Sequence, residues 1–322
     1  MNDYLKSPLN YTGGKYKLLN QIIPIFPSNI KTFVDIFAGG CNVAVNIKAK
    51  KIIVNDISSH IIELYNYFKN HTLDEIENSI DKIVKKYKLS NSSLYGYKYY
   101  NTNSADGLAN YNKENYLKLR ADYNKKPNPI MFYTLVIYAF NNQIRFNKKG
   151  EFNLPVNKRD FTKNMRKNLK LFVQRIKEID IDFIAKDFND IVIADDAFVY
   201  VDPPYLATTA SYNENGGWDE ENEHRLLNYL DELDARGIKF ALSNVFESKG
   251  VKNEILIKWS KSIKYHVHYL NYSYSNCSYQ TKNRDKNSTV EVLITNYNPS
   301  INGLTSSPYH LEPQSLPLAK SS

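Results

Sequence analysis

The amino-acid sequence predicts an α/β fold in which a mostly parallel sheet of seven strands carries a mainly helical insertion. Short runs of apolar and β-branched residues recur along the chain, as expected for strands that are buried on both faces. Several segments between these runs have apolar residues at helical spacing, and alternating strands and helices indicate a parallel sheet. The predicted strands are 32–36, 52–54, 181–185, 198–201, 238–242, 263–270 and 290–295.

A long polar segment interrupts this alternation between the second and third predicted strands. It is rich in Tyr and Asn and contains helical patches at 73–87 and 112–123. We therefore interpret residues 59–170 as an inserted, mainly helical domain. Residues 1–58 and 171–298 then form the core that contains the sheet.

The composition limits the classes of protein and partner. The two cysteines, Cys41 and Cys277, provide neither a disulfide framework nor a metal cluster, so we expect no metal and a reducing, cytoplasmic setting. The sequence has no apolar run of about 18 residues and no secretion signal, so no membrane is expected among its partners. Residues 299–322 are rich in Ser and Pro, and we expect a flexible tail or linker there.

The chain has a net charge of +8 and a pI of about 9.0, which favours nucleic acid or another anionic partner. Charge alone leaves two interpretations open. The abundance of Lys, Asn, Ile and Tyr is equally typical of proteins from AT-rich genomes.

A glycine loop follows the first predicted strand, with the sequence Phe37-Ala38-Gly39-Gly40. Glycines let the backbone turn tightly and approach a ligand closely. Asp56 ends the second predicted strand, where a carboxylate can accept hydrogen bonds from ribose hydroxyls. The two features together predict a site for an adenosine-containing cofactor. An ordinary tight turn beside a surface aspartate is the alternative.

The fourth predicted strand ends in the sequence Asp202-Pro203-Pro204-Tyr205. The prolines fix φ and remove two backbone donors, so Asp202 and the Pro203 carbonyl become acceptors on a rigid turn. Ligands of open α/β sheets bind at this edge, and Tyr205 offers a flat face for a base. Two acceptors suit an exocyclic amine such as adenine N6, which could attack a sulfonium methyl donor directly. A proline turn that merely ends a strand is the alternative.

These two sequences resemble the catalytic and cofactor motifs of amino-DNA methyltransferases. Their order, with a long insertion between them, resembles the alpha class, which includes the DNA adenine methylases. The resemblance extends over roughly residues 4–298. It implies a Rossmann-like core that uses S-adenosylmethionine, and an insertion that recognises the DNA target. It also implies a bacterial or phage-encoded protein.

The resemblance implies further cofactor-binding residues. The segment from Ser7 to Lys15 is similar to the N-terminal cofactor motif of the family, so Tyr11 and Lys15 are expected to touch S-adenosylmethionine. We expect Lys15 to reach its carboxylate. Other positions that match cofactor contacts are Asp35, Asp187, Phe188 and Asp202.

A polar segment of the insertion, residues 140–155, is similar to the segment that lies near DNA in adenine methylases acting at GATC-like sites. Asn and Arg can bind base edges or phosphates. A polar hairpin without a ligand is the alternative. The candidate DNA-binding residues are Asn142, Arg145, Asn147, Lys148, Asn153, Lys158 and Arg159.

Other basic residues of the chain, among them Arg120 and Arg166, could also supply phosphate contacts. We interpret the basic, aromatic stretch 271–286 as a mobile loop that closes on DNA. An ordinary solvated loop is the alternative there.

The sequence departs from the family pattern at three positions. Cys41 and Asn42 stand where the family often has Gly and Ser, so the path of the cofactor loop is in question. Asn157 stands where enzymes of GATC sites commonly have Gly. This difference weakens any transfer of the recognition sequence.

The predicted function is transfer of a methyl group from S-adenosylmethionine to N6 of a flipped-out adenine in double-stranded DNA. A cognate restriction endonuclease is the expected functional partner, unless the enzyme acts alone. Cytosine-N4 methylation uses the same amine chemistry, but that class more often has Ser at the position of Asp202. Methylation of RNA or of a protein amide is a weaker alternative. A silent DNA-binding protein is the alternative outside enzymes, and the intact Asp56 and Tyr205 argue against it.

Overall fold

A computed structural model of the protein describes residues 4–208, 217–262, 265–271 and 289–299. Within these residues eight strands form one sheet. The strands are β1 (Ile30–Asp35), β2 (Ala49–Asn55), β3 (Ile181–Ile184), β4 (Ala197–Val201), β5 (Lys239–Ser248), β6 (Val251–Lys252), β7 (His266–Leu270) and β8 (Thr289–Thr295). Their order across the sheet is β3-β2-β1-β4-β5-β8-β7, and β6 pairs with β5 outside this series.

The predicted α/β fold with a mostly parallel sheet is confirmed. The five strands from β3 to β5 in the sheet order are parallel to their neighbours, and β8 runs antiparallel to β5 and to β7. The short β6 was not predicted. It forms a hairpin with β5 through Lys249 and Gly250, whose φ angles are +51° and +82°, as a tight two-residue turn requires.

The described residues contain nine α-helices. They are α1 (Leu19–Ile22), α2 (Ser59–Asn70), α3 (Leu73–Lys86), α4 (Ser92–Tyr95), α5 (Ala109–Lys125), α6 (Pro129–Tyr138), α7 (Lys163–Glu178), α8 (Glu220–Ala235) and α9 (Glu254–Ser262). Side-chain caps start several of them. Thr72 and Glu75 form a capping box at α3, and Asn128 caps α6 with Pro129 at its first position. None of these helices is long and apolar enough to cross a membrane.

Apolar side chains cover both faces of the sheet. Phe33 and Phe198 point into one cluster, and Val34 and Val199 point into the other. This alternation is the reason that the central strands are apolar at consecutive positions. Helix α8 covers the second face. Side chains from α2, α3, α5, α6 and α7 join the first cluster, so the segment 59–170 shares its apolar core with the sheet. The domain boundaries given above remain a prediction.

Two predicted features fall largely outside the described residues. The loop 271–286 is described only at Asn271, and the tail 299–322 only at Pro299. The sixth predicted strand, 263–270, is described as β7 from His266 onwards. Strand β5 continues past its predicted end at 242 to Ser248.

Candidate active site

Three adjacent parallel strands each end in an acidic residue, and the sheet brings these residues to one edge. Asp35 is the last residue of β1, Asp56 follows β2, and Asp202 follows β4. Because β1 pairs with both β2 and β4 in parallel register, the three carboxyl ends lie side by side. The sheet edge at which α/β proteins bind ligands is therefore strongly acidic here.

Lys15 supplies a positive charge at this edge. Its Nζ lies 2.8 Å from Oδ1 and 2.8 Å from Oδ2 of Asp202, and it also donates to the Gly13 carbonyl at 2.7 Å. Only 4% of the Lys15 side chain and 17% of the Asp202 side chain are exposed. The family resemblance implies that Lys15 reaches the cofactor carboxylate, whereas in the structure Lys15 forms an ion pair with the candidate catalytic acid.

Tyr205 completes this group. Its hydroxyl donates to Asp202 Oδ1 at 2.8 Å, and Lys15 Nζ lies 4.9 Å from the centre of its ring. Burial raises the pKa of Asp202, while the positive charge of Lys15 and the hydrogen bonds from Lys15 and Tyr205 partly offset this effect. Pro203 is buried and Pro204 is half-buried, so the turn that carries these groups is itself packed.

Asp35, the third acid at this edge, is almost fully buried. It is 1% exposed, and its Oδ1 atom has no hydrogen-bond partner in the described part of the chain. Burial, followed by the negative charges of Asp202 and Asp56, raises its pKa well above the ordinary value. Both causes disfavour a negative charge on Asp35. A neutral acid reduces the repulsion within this edge.

The glycine loop is fixed from two sides by hydrogen bonds. Asp56 accepts from the Gly39 and Ser58 backbone N–H groups, both at 2.9 Å, and the Tyr65 hydroxyl donates to the Gly39 carbonyl at 2.7 Å. Burial raises the pKa of Asp56, and the two N–H groups lower it in part. Each carboxylate oxygen has a second lone pair, so Asp56 retains the capacity to accept ribose hydroxyls. That role remains a prediction.

Gly39 and Gly40 both lie against Tyr11. A Cβ atom on Gly39, whose φ is +46°, would lie 2.7 Å from the Tyr11 ring, and one on Gly40 would lie 3.0 Å from Tyr11 Cβ. The backbone at 38–40 therefore lies directly against this tyrosine. Ala38, next to Gly39, packs against the first apolar cluster. The predicted cofactor residues Tyr11, Gly39 and Gly40 are thus in contact.

Asn42, one of the residues at which the sequence departs from the family pattern, holds the N-terminal segment together with Asn46. Asn42 Oδ1 accepts from the Ser7 N–H at 3.0 Å, and Asn46 exchanges two hydrogen bonds of 2.8 Å with the Leu5 backbone. Cys41 is buried and has a φ of +58°, which is uncommon for a residue other than glycine. The loop accommodates Cys41 by adopting this conformation.

The remaining cofactor candidates form a second group at the ends of β1 and β3. The rings of Phe37 and Phe188 lie 5.5 Å apart, and the Arg225 guanidinium lies 4.6 Å from the centre of the Phe188 ring. Arg225 also donates to Asp187 Oδ1 in a short ion pair. Burial would raise the pKa of Asp187, but the hydrogen bonds from Arg225 and from the Asn189 N–H hold it below the ordinary value.

The candidate DNA-binding segment is a hairpin organised by its own polar side chains. Arg145 Nε donates to Asn153 Oδ1 at 2.7 Å, and Asn147 Oδ1 accepts from two backbone N–H groups of the turn that follows it. Asn142 caps α6, because its Nδ2 donates to the Val136 and Ile137 carbonyls at 3.2 and 2.6 Å. Asn142 therefore has a structural role in addition to the predicted one.

The hairpin is attached to the N-terminal segment by one hydrogen bond. Asn10, which precedes Tyr11, donates from Nδ2 to the Asn141 carbonyl at 2.8 Å. This contact places the predicted DNA-binding segment beside the predicted cofactor segment.

The basic candidates have different surroundings. Lys148, Lys158 and Arg159 are exposed, as a phosphate contact requires. In contrast, Arg120 donates to the Leu154 carbonyl at 2.9 Å, and Arg166 lies 3.5 Å from both Glu77 and Asp81. These two arginines hold the insertion together. Among the described residues, no group of His, Cys, Asp and Glu has the arrangement of a metal site.

Comparison with known proteins identifies the family. The family model of D12 class N6 adenine-specific DNA methyltransferases matches residues 11–276. The chain belongs to this family. The match includes the glycine loop, the insertion and the turn at Asp202, so it covers both groups of site residues.

Named relatives of this D12 class protein include restriction-modification methylases. Modification methylase StsI of Streptococcus sanguinis is 42% identical over 303 residues, which are 91% of this chain and 43% of that protein. Type II methyltransferase M.FokI of Planomicrobium okeanokoites is 42% identical over 305 residues, 92% of this chain and 43% of that protein. The chain thus spans less than half the length of these two relatives. The DNA adenine methylase of Escherichia coli (strain K12) is 28% identical over 91% of this chain and 95% of its own length.

Several residues of this D12 class site were not found from the sequence. Asn55 joins two loops of the site: its Nδ2 donates to the Ile36 and Lys186 carbonyls at 2.9 and 3.0 Å, and its Oδ1 accepts from the Lys186 N–H at 3.0 Å. Tyr65 and Arg225 were also not predicted. The one feature of the sequence that could have indicated a role for Asn55 is its position directly before Asp56. Tyr65 and Arg225 lie on helices whose orientation the sequence does not reveal.

Proposed function

We propose that this protein transfers a methyl group from S-adenosylmethionine to N6 of an adenine in a short site of double-stranded DNA. The observation that carries the proposal is the group formed by Lys15, Asp202 and Tyr205 at the carboxyl end of β4, beside the glycine loop. Membership of the D12 class and the names of the relatives support the same reaction.

Asp202 is suited to bind and orient the target amine. Lys15 and Tyr205 fix its carboxylate, and Oδ2, which does not accept from Tyr205, retains a lone pair for an N6–H group. Such an acceptor favours the pyramidal amine, whose lone pair is then available for attack. In the transfer the N6–C bond forms, the C–S bond breaks and N6 loses a proton. Asp202 can accept this proton because burial raises its pKa.

The residues at the sheet edge fit S-adenosylmethionine, which would supply an electrophilic methyl group on a sulfonium. Asp56 can bind hydroxyls, and Gly39 and Gly40 allow a close approach of the backbone. Asp35 Oδ1, which has no partner among the described residues, is a polar atom that a cofactor or a water could satisfy. Phe37 and Phe188 provide apolar surfaces for an adenine ring.

The target adenine must leave the duplex to reach this edge, because N6 is inaccessible within stacked base pairs. Tyr205 offers a surface for the flipped base, and the hairpin with Arg145 and Asn153 is the candidate reader of the sequence. A GAT-containing site follows from the resemblance alone. Because two relatives are restriction-modification methylases, a cognate restriction endonuclease is the proposed functional partner.

The test is methyl transfer from labelled S-adenosylmethionine to unmethylated genomic DNA, followed by mapping of the product at single-base resolution. We expect N6-methyladenine within one short motif. N4-methylcytosine would overturn the assigned base while retaining the amine chemistry. Tight DNA binding without any transfer would overturn the assigned reaction and favour a silent DNA-binding protein.

A further inference from the structure

Glu223 is a buried acid that the proposed reaction does not use. It lies in the first turn of α8 and is 0% exposed. Its carboxylate accepts hydrogen bonds from Trp218 Nε1 at 2.5 Å, Asn253 Nδ2 at 2.7 Å and Asn244 Nδ2 at 3.5 Å. All three donors are neutral. Burial raises the pKa of Glu223, and these donors lower it in part.

Burial of a carboxyl group without a positive partner is costly. Apolar residues of similar size would pack α8 onto β5 at lower cost. The particular property of Glu223 is that it accepts from several donors at once and so fixes their positions. The donors belong to the segment before α8, to β5 and to the residue before α9.

Trp218 is the donor that leads back to the candidate active site. Its ring lies 5.6 Å from that of Phe37 at an interplanar angle of 83°, and 6.4 Å from that of Phe188 at 43°. Phe37 is the first residue of the glycine loop, and Phe188 follows Asp187 in the segment after β3. Three aromatic rings from separate parts of the chain therefore meet at the second group of the site.

We infer that Trp218 is a wall of the pocket for the adenine of S-adenosylmethionine, and that Glu223 is the positioning residue that fixes its indole ring. The inference rests on the proposed function. Flat aromatic faces and edges suit an adenine ring, and a wall contributes most to binding when it is already ordered. The hydrogen bond from Trp218 Nε1 to a fully buried carboxylate supplies this order.

The same network connects the wall to the catalytic strand. Asn244 lies in β5 next to Ser243, whose Oγ is 2.8 Å from the Tyr200 hydroxyl in β4. Tyr200 is two residues before Asp202. Glu223 therefore also contacts β5, the strand that pairs with β4, which leads to the candidate catalytic acid.

The chain offers a direct optical test, because it contains two tryptophans and they lie in different surroundings. Trp259 packs against Tyr265 at 4.4 Å and donates to Asp231 at 2.8 Å, whereas Trp218 packs against Phe37 and Phe188. In the variant Trp259→Phe, Trp218 is the single tryptophan. We expect S-adenosylhomocysteine to change its emission with the same Kd that calorimetry gives.

Binding of S-adenosylhomocysteine by substituted proteins then distinguishes the role of Trp218 as a pocket wall from the role of Glu223 as its positioning residue. Trp218→Ala should weaken S-adenosylhomocysteine binding about tenfold, as loss of a stacking ring does. Trp218→Phe should fall between wild type and Trp218→Ala, because it keeps a ring but loses the N–H donor. Glu223→Gln should weaken binding severalfold and raise the KM for S-adenosylmethionine, with little change in kcat. The matched control is Glu221→Gln, an exposed position in the same helical turn.

The outcomes distinguish the two proposals. Failure of the wild-type protein to bind S-adenosylhomocysteine and S-adenosylmethionine would contradict the proposed function itself. Full calorimetric affinity with unchanged Trp218 emission, and an unchanged Kd in Trp218→Ala, would overturn the wall alone. A lower melting temperature of Glu223→Gln with an unchanged Kd would show that Glu223 only supports the fold.

Discussion

The Lys15 ammonium lies 2.8 Å from each carboxylate oxygen of Asp202, although the two residues are 187 positions apart in the chain. This ion pair attaches the N-terminal segment to the end of β4. Tyr11 packs on the glycine loop in the same segment, so one short stretch contacts both the candidate catalytic acid and the candidate cofactor loop. The segment that carries the positive partner of Asp202 therefore also carries Tyr11, which contacts the glycine loop.

The ion pair predicts a shift in the pH dependence of methyl transfer. Burial raises the pKa of Asp202, and the positive charge of Lys15 lowers it. Replacement of Lys15 by Met should therefore raise the pKa of Asp202 further. The reaction needs the deprotonated carboxylate, and its rate falls as pH drops through the pKa. The acid limb of the single-turnover rate should therefore move to higher pH in Lys15→Met and remain near its original place in Lys15→Arg. Coincident limbs in all three proteins would show that Asp202 is not the titrating group.

The ion pair also predicts that substitutions of Lys15 and Asp202 affect the unfolding free energy and the methyl-transfer rate differently. Asp202→Asn leaves the buried Lys15 charge without its partner, which costs about 3–5 kcal/mol of unfolding free energy. The double variant Lys15→Met/Asp202→Asn removes both charges and should recover most of that stability. Methyl transfer should be lower by at least about 100-fold in both. Thermal unfolding and transfer assays on the same samples measure the two effects. Recovery of activity in the double variant would contradict a catalytic role for Asp202.

The contact between Gly39 and Tyr11 predicts a specific effect of an added methyl group. Gly39→Ala places a Cβ 2.7 Å from the Tyr11 ring, whereas Gly237→Ala, at a φ of +71°, meets nothing within 4 Å. Both variants should lose about 1–2 kcal/mol of stability from a left-handed backbone. Only Gly39→Ala should also weaken S-adenosylmethionine binding in calorimetry. Equal affinity of the two variants for S-adenosylmethionine would show that Tyr11 and the glycine loop do not form part of the cofactor site.

The hairpin predicts different DNA-binding defects for two of its basic residues. Arg145 is held at 2.7 Å by Asn153, whereas Lys148 is exposed. Arg145→Ala should reduce discrimination against altered sites, by about 1–3 kcal/mol if Arg145 binds a base edge. Lys148→Ala should weaken binding to all sequences and reduce the salt slope by about 1. Competition binding across a salt series measures both. A uniform loss of affinity in Arg145→Ala would assign it to phosphate instead.

Much of this architecture could be predicted because the relevant information is local. The apolar runs at Phe33–Val34 and Val199 require strands that are buried on both faces, and each run ends in an acid. Parallel strands have their carboxyl ends at one edge of a sheet, so Asp56 and Asp202 had to lie at the same edge once β2 and β4 both paired with β1. The two-residue β6 could not be predicted, since it depends on a turn rather than on an apolar run.

The sequence by itself determined the α/β class, the glycine loop and the acid that ends β4, because these depend on residue types a few positions apart. Only the tertiary structure decided what each side chain contacts. Lys15 forms an ion pair with Asp202, and Arg166 forms one with Glu77. The Trp218 ring packs against Phe37 and donates a hydrogen bond to Glu223. Such contacts depend on helix orientation and on chain segments that are far apart in sequence, and periodicity contains no information about either.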